Sequence, residues 1–448
     1  MKNVDVIDIV DKAPYRGLPA LVTVLAFAAM VFDGYDIQVI GFIAPTLLLE
    51  WGLEKSALGG VLAASLVGMA IGGFFLGNFG DRYGRRTGVL FSLGLIVITA
   101  FGAATAESLT SLGLWRFVAG LGFGGLLPNC ATLMLEYSPK RVRQVAVALI
   151  IVGVPVGGVI GAQISAVLIP VYGWRGALIV GGILPAVVMM ACAFLLPESP
   201  RFLARDSLHA AKLAALLNRM SPSSQASADD RFIVREEVEQ SEKIGVSALL
   251  SSRWRRDTLA IWLTMITSLF AVYGFFNWLP LVLANSGLPL TIALRGALFF
   301  NLGGVIAALG LAYFLGRRGS RGLMLSIASC AVVTTLVTGV VADAGSSSYL
   351  ITALLGLCGA CILGLQASLF SLATHIYPTA IRSTGVGWAS GVSRLGAIGS
   401  AFGGGFLVSL GTGLTPFFFG ISVVLLLSLI GIAFIRRHLE VSPDSVKG

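Results

Sequence analysis

Two carboxylates stand in the middle of a long apolar run. Phe32-Asp33-Gly34-Tyr35-Asp36 lies within the stretch 18–49, where a side chain would sit near the centre of a bilayer. Inserting an ionised Asp at that depth costs roughly 2.5–3.5 kcal/mol, and a second carboxylate beside it adds repulsion. The i, i+3 spacing puts both on one helical face. Gly34 between them lets another backbone come close. A cost of this size, met twice, points to proton uptake and release in a water-lined cavity. The plainer alternative is a pair of hydrogen-bonded carboxyls that pins this helix to a neighbour.

Two arginines lie at matching depths. Arg394 falls inside the apolar run 380–409, about 14 residues in, or roughly 20 Å along a helix. A cation there needs an anion, and a guanidinium fork fits a carboxylate bidentately. Arg394 is therefore the candidate partner of an anionic ligand, with a permanent pair to Asp33 or Asp36 as the alternative. Arg116 enters another run, 109–135, and is placed to pair with one of the aspartates and tune it. Amides inside runs (Gln38, Asn129, Gln163, Asn277, Asn301, Gln366) could hold a ring hydroxyl or simply bond neighbouring helices. Tyr35, Trp278 and Trp388, with Phe42 and Phe276, could wall an aromatic ring or only pack helices. At the ends of runs, Glu136 stands near Lys140, Arg141 and Arg143, a spacing that suits a gate-forming salt bridge. His375 closes a run near the membrane surface and reads as interfacial.

The elements that carry these residues follow from composition. Of 448 residues, 56% are hydrophobic and 12% charged, about half the charge of a soluble protein. The chain therefore reads as an all-α polytopic membrane protein. Its net charge of +9 is no nucleic-acid signal, because the basic residues cluster in alternate loops. Apolar runs predict spans at 18–46, 57–78, 88–106, 109–135, 143–168 and 174–196, then at 258–284, 292–315, 322–342, 348–375, 380–409 and 414–435. Residues 1–196 form an N-terminal six-helix bundle, 197–257 a polar linker, and 258–448 a C-terminal six-helix bundle with its tail. Arg82, Arg85, Arg86, Lys140, Arg141, Arg143, Arg317, Arg318, Arg321, Arg382, Arg436 and Arg437 all fall on one side, against Lys55 and Arg175 on the other. Both termini and the linker are thus expected in the cytoplasm. The five cysteines read as small buried hydrophobes, and Cys358-x-x-Cys361 without a histidine set does not indicate a metal. Glycines recur at four-residue spacing (Gly68/Gly72, Gly120/Gly124, Gly153/Gly157/Gly161, Gly387/Gly391), which predicts close helix crossings. No P-loop, zinc spacing or GxSxG occurs, so neither ATP hydrolysis nor covalent catalysis is expected.

The halves echo each other. Gly77-Asn78-Phe79-Gly80-Asp81-Arg82-Tyr83-Gly84-Arg85-Arg86 follows span 2, and Leu315-Gly316-Arg317-Arg318-Gly319-Ser320-Arg321 follows span 8. Glu136-Tyr137-Ser138-Pro139 with Arg143 ends span 4, and Ile376-Tyr377-Pro378-Thr379 with Arg382 ends span 10. With these motifs, and with Pro197-Glu198-Ser199-Pro200-Arg201 after span 6, the chain resembles a major facilitator superfamily transporter over essentially its whole length. It resembles more narrowly the aromatic acid:proton symporters, the group of 4-hydroxybenzoate and 3-hydroxyphenylpropionate carriers. That likeness is carried by Asp33-Gly34-Tyr35-Asp36, Gly41-Phe42-Ile43-Ala44-Pro45, Arg116 with Pro128-Asn129 and Glu136-Tyr137, Asn277-Trp278-Leu279-Pro280 and Gly391-Val392-Ser393-Arg394.

The resemblance implies two pseudo-symmetric bundles of six helices that import a small aromatic carboxylate with protons by alternating access. It further implies a monomer in the bacterial inner membrane that needs no cofactor. A symporter of another organic acid or polyol, and a drug:proton antiporter, remain open within the superfamily. The expected proton-coupling set is Asp33, Asp36 and Arg116. The substrate set is Arg394, Tyr35, Gln38, Asn129, Gln163, Asn277, Trp278, Gln366 and Trp388. The gate set is Gly77, Gly80, Asp81, Arg82, Arg85, Arg86, Glu136, Arg143 and Arg382. The segment after span 8 lacks an acid matching Asp81, so the second gate is expected to latch differently.

Overall fold

Apolar runs of this length fold as helices because a bilayer offers no other partner for backbone N–H and C=O groups. The structure is a computed structural model that describes residues 2–221, 224–234, 246–411 and 413–438, without the side chains of 144, 312–318, 379, 380 and 383. In order, α1 (Val6–Lys12) precedes the long helices α2 (Leu18–Trp51), α3 (Leu58–Tyr83), α4 (Arg85–Ala104), α5 (Leu109–Tyr137) and α6 (Arg143–Leu195). Short helices α7 (Pro200–Leu203), α8 (Ala210–Met220) and α9 (Val246–Leu249) occupy the linker. Then come α10 (Arg255–Asn285), α11 (Leu290–Arg318), α12 (Ser320–Asp343), α13 (Ser348–Ile376), α14 (Thr379–Ser409) and α15 (Thr415–Phe434).

Helix α6 has 53 residues, about 80 Å as one rod against a hydrocarbon core of about 30 Å. It breaks at Gly173, whose φ of 66° and ψ of −174° are not helical, and so supplies two spans. The twelve spans are therefore those the apolar runs predict. Among the described residues ten helices are long and apolar enough to cross a membrane by composition; α14 is not one of them. Its Gly- and Ser-rich sequence with Arg382 and Arg394 lowers its hydropathy. The exterior is inverted relative to a soluble protein: Phe74, Phe75, Phe194, Phe402 and Phe406 are all more than half exposed, as a lipid-facing surface requires.

The stretch 77–86 is not a loop. Helix α3 runs on to Tyr83 and α4 starts at Arg85, with Gly84 alone making the turn at φ 101°. The other bundle repeats the device: Gly319, at φ 74°, is the sole link between α11 and α12. That region of backbone favours glycine. The second echo is equally physical. Arg143 Nε donates to the Ser138 carbonyl at 3.2 Å, and Arg382 Nε donates to the Tyr377 carbonyl at 3.4 Å, five residues back in each case.

Glycine notches bring helices together where the sequence predicts. Gly68 and Gly72 abut the α5 backbone at Phe117 and Leu121, while Gly120 and Gly124 abut α3 at Ser65 and Met69. Gly153, Gly157 and Gly161 seat α6 on α2 at Met30, Val31 and Tyr35. One pair departs from the expectation: Gly387 and Gly391 face open space, so they mediate no crossing. Cys330 is also a correction, because it is exposed while the other cysteines are buried; a lipid-facing position costs a thiol little.

Near the termini, Asn3–Asp5 (β1) pairs in parallel with Arg231–Ile233 (β2) of the linker. Three-residue strands carry no periodic signal, so the sequence does not announce this tie. Replacing Gly72 by Val should force α3 off α5 and lower thermal stability in detergent by about 1–3 kcal/mol. Gly60→Ala, whose side chain would enter open space, should shift it by less than about 0.5 kcal/mol.

Candidate functional site

Helix α2 carries both aspartates into the interior. Gly34 sits against the backbone of Val154 on α6, so this stretch of α2 is held close to its neighbour. Asp33 and Asp36 are 3% and 1% exposed. Their fates differ. Arg116 of α5 holds Asp36 twice: Nη1 donates to its Oδ2 at 2.8 Å, and Nη2 to its backbone carbonyl at 2.9 Å. The guanidinium also lies 5.4 Å from the Phe123 ring centroid. Asp33 has no such ion pair; among the described residues its Oδ1 is buried with no hydrogen-bond partner, as are Asp36 Oδ1 and Arg116 Nε. Asp33 is within electrostatic range of Asp36 and, from the other bundle, of Arg394.

Arg394 of α14 is half-buried. Its guanidinium reaches across the seam toward α3, where a Cβ on Gly73 would lie 3.6 Å from Nη2. Among the described residues it makes no hydrogen bond or ion pair. Tyr273 of α10 also senses both Arg394 and Asp33, and its hydroxyl makes only a weak contact to Met69 Sδ at 3.8 Å. Tyr273 and Asn277, one turn apart on α10, line a narrow cavity with Arg116, Ser65 and Met69. It has room for about a single water. Asn277 Nδ2 is buried without a partner there, and so are both amide atoms of Gln366 on α13. The site thus gathers Asp33, Asp36, Arg116, Arg394 and Asn277, all anticipated, with Tyr273 and Met69, which were not. Their signal was faint: Tyr273 stands one helical turn before Asn277, on the same face.

Other anticipated residues are used elsewhere. Tyr35 donates to the Ala177 carbonyl at 2.7 Å and fills the gap left by Gly161 and Gly181, so it packs the first bundle. Trp278 donates to the Ser400 carbonyl at 3.1 Å and lies under Gly404 and Gly405, fixing α10 to α14. Asn129 spends both donor protons on the Leu76 and Gly125 carbonyls, at 3.0 and 2.8 Å. Gln163 is exposed. Trp388 is 46% exposed and stacks on Trp262 at 6.2 Å. Gln38 pairs with Asn301 of α11. Residue type and depth could not separate these from ligand contacts, because a buried polar group in a helix bundle seeks the nearest backbone or amide in either case.

On the side of the membrane that bears the termini, the charged set forms one network. Arg85 pairs with Asp81 and donates to Asn129 Oδ1 at 3.3 Å and to the Gly77 carbonyl at 3.5 Å. Gly80 lies against Asn129. Arg86 donates through its backbone N–H to Glu198 Oε1 at 3.0 Å and through Nη2 to the Ala193 carbonyl at 2.6 Å. Arg205 donates to the Asp81 carbonyl at 2.7 Å. Arg82 is exposed and lies over Tyr83. Two partners differ from expectation. Glu136 is bonded by the Ser199 hydroxyl, and its nearby cations are Arg201 and Arg85. Arg143 pairs with Asp11 before α2, at 2.7 Å. The tertiary fold brings Ser199 to Glu136 across 63 residues, a link no local spacing reveals. Asp81, Arg85, Glu136, Arg201 and Arg205 line a cavity of about 770 Å3.

One face of α14 shows how the bundles meet. Ala401 and Gly405 pack against Gly59 and Ser56 at the far end of the membrane. Arg394 is next on that face, and Gly391 and Gly387 follow toward the side of the termini, fronting open space. Gly41 of α2 sits against the Phe276 and Asn277 carbonyls, again toward the far end. Along this face of α14 the bundles therefore touch beyond Arg394, while Gly391 and Gly387 front open space.

The sequence description of the Major Facilitator Superfamily matches residues 26–401. A gallate transporter from Pseudomonas putida is 35% identical over 415 residues, 93% of this chain and 91% of that one. The 4-hydroxybenzoate transporter PcaK of Acinetobacter baylyi is 33% identical, with 91% and 88% covered. The xylose transporter XylE from E. coli, a solved structure in a partially occluded inward open conformation, superimposes with TM-score 0.71 at 16% identity, covering 92% of this chain and 96% of that one; this shows the fold. By sequence and by fold alike, the chain belongs to the Major Facilitator Superfamily and is a multi-pass membrane protein.

Proposed function

We propose that the chain imports a small aromatic carboxylate together with protons by alternating access. The observation that carries this reading is an arginine with no ion-pair partner among the described residues, Arg394, set at mid-depth on one bundle within electrostatic range of a buried, half-unpartnered carboxyl, Asp33, on the other. A substrate carboxylate completes the arginine's fork. Relatives that move gallate, 4-hydroxybenzoate, gentisate and 3-(3-hydroxy-phenyl)propionate support an aromatic ring behind that carboxylate.

Asp33 is the carboxyl we assign to the travelling proton. Asp36 is occupied by Arg116, and separating a buried ion pair costs about 3–5 kcal/mol. Asp33 has no such anchor. From the far side, a proton on Asp33 and an anion on Arg394 together leave the cavity without net uncompensated charge, which lowers the cost of closing it. Asn277 and Gln366, with donor and acceptor capacity unspent, are the groups that meet the ring's substituents. The remaining anticipated substrate residues take the supporting roles described above.

The excess of Lys and Arg on the side of the termini supports a cytoplasmic position for both termini and the linker, and the bacterial relatives support the inner membrane of a bacterium. The far side is then outside, and the state described here opens inward. Residues 1–196 and 258–448 move as two bodies joined by the linker, in a monomer. The Asp81–Arg85–Glu136–Ser199 network holds α3, α4, α5 and the linker together at the inner end of the first body.

Uptake of labelled aromatic acids into proteoliposomes tests the reading. An imposed inward proton gradient should drive accumulation of a hydroxybenzoate; accumulation unchanged by a protonophore would refute the coupling. In Asp33→Asn, uphill accumulation should vanish while exchange of internal for external substrate persists. In Arg394→Ala, apparent affinity should fall tenfold or more, as expected for losing a charge-assisted hydrogen-bond pair worth about 1.5–3 kcal/mol; an unchanged binding constant would remove Arg394 from the site.

A further inference from the structure

Gln38 was expected to contact substrate, yet its amide is spent on the other bundle. Asn301 Nδ2 donates to Gln38 Oε1 at 2.9 Å, and Gln38 Nε2 donates back to Asn301 Oδ1 at 3.3 Å. Both residues are 1% exposed. Asn301 Nδ2 also reaches its own helix at the Ala297 carbonyl, 2.9 Å away, which fixes the rotamer. The pair joins α2 to α11, and therefore one six-helix body to the other. Gly158 of α6 completes the site: a Cβ there would collide with Asn301 Oδ1 and Gln38 Nε2.

We propose that Gln38 and Asn301 are the latch of the outer gate. The proposal rests on the alternating-access reading above. Gln38 stands two residues beyond Asp36 on α2, toward the outer end of the helix. Its neighbour in the seam is Gly41, pressed on the α10 backbone, so the latch lies where the bundles touch. The chemistry suits a contact that must open in every cycle. Two neutral amides exchange their mutual hydrogen bonds for water at small net cost, whereas parting an ion pair would strand a charge. The reciprocal geometry also fixes the register of α2 against α11, which a single hydrogen bond would not. The gate residues are thus positioning residues: they touch neither proton nor substrate, and set how often the site faces outward.

The test reads conformation directly, without substrate. A cysteine replacing Ser65, which lines the narrow cavity between the bundles, is labelled by a membrane-impermeant maleimide in right-side-out vesicles. The background carries Cys330→Ser, which removes the exposed native thiol. Gln38→Ala, Asn301→Ala and Gly158→Ala should each raise the labelling rate about tenfold, the population change for losing two hydrogen bonds of ordinary net strength. Gly158→Ala reaches the same end by wedging the amides apart with no change in polar groups. The exchanged double variant, Gln38→Asn with Asn301→Gln, keeps one amide of each length and should return the rate toward wild type. An unchanged or lower rate in the single variants overturns the latch, as does failure of the exchange to rescue in protein that elutes as a folded monomer. Loss of aromatic-acid uptake by the unaltered chain would instead sink the transport reading, and leaves the labelling result to be judged alone.

Discussion

A charge inside a bilayer must have a partner, and the partner decides what the charge can do. Arg116 holds Asp36 through two hydrogen bonds in the interior. The arrangement ties α5 to α2 within one bundle, and little can change it without stranding an ion. Arg394 and Asp33 stand in different bundles, and neither is saturated. One pair of charges therefore ties helices together within a bundle, while the other, on the function proposed above, is left for a ligand and a proton. The rest of the molecule can be understood as the means of holding that contrast.

The means are chiefly steric. Helices that lack a hydrophobic driving force between them associate through close backbone approach, and glycines supply it within each bundle: α3 on α5, α6 on α2. Between bundles the contacts are sparser. Gly41 and Gly59 meet backbone carbonyls, Gln38 meets Asn301, and below Arg394 the face of α14 is clear. Packing is thus tighter inside each bundle than between them, as the alternating-access reading requires.

The end that bears the termini is organised differently, by charge. Gly84 turns the chain from α3 to α4 in one residue, which brings Asp81 and Arg85 within reach across the turn. The linker then threads Glu198, Ser199 and Arg205 into the same network. Gly319 repeats the turn in the second bundle; the side chains of Arg317 and Arg318 lie outside the described residues.

The amino-acid sequence by itself determined the number of spans, their rough limits, the repeat of the halves and the depth of the buried charges. These follow from local quantities: run length against bilayer thickness, and residue type against the cost of burial. It also pointed to Asp33, Asp36, Arg116 and Arg394, since an ionisable group at mid-membrane is expensive enough to stand out in any context. Only the tertiary structure decided how those four are paired. The same holds for Tyr35, Gln38, Asn129 and Trp278, which bond to neighbouring helices or to the other bundle, and for Tyr273, which joins the site. Amides and aromatic rings cost too little to announce a purpose, and their partners lie far away in sequence: 142 residues for Tyr35 and Ala177, 263 for Gln38 and Asn301. Depth can be counted along a chain, whereas which neighbour a side chain meets depends on how helices cross, and that is fixed only when they pack.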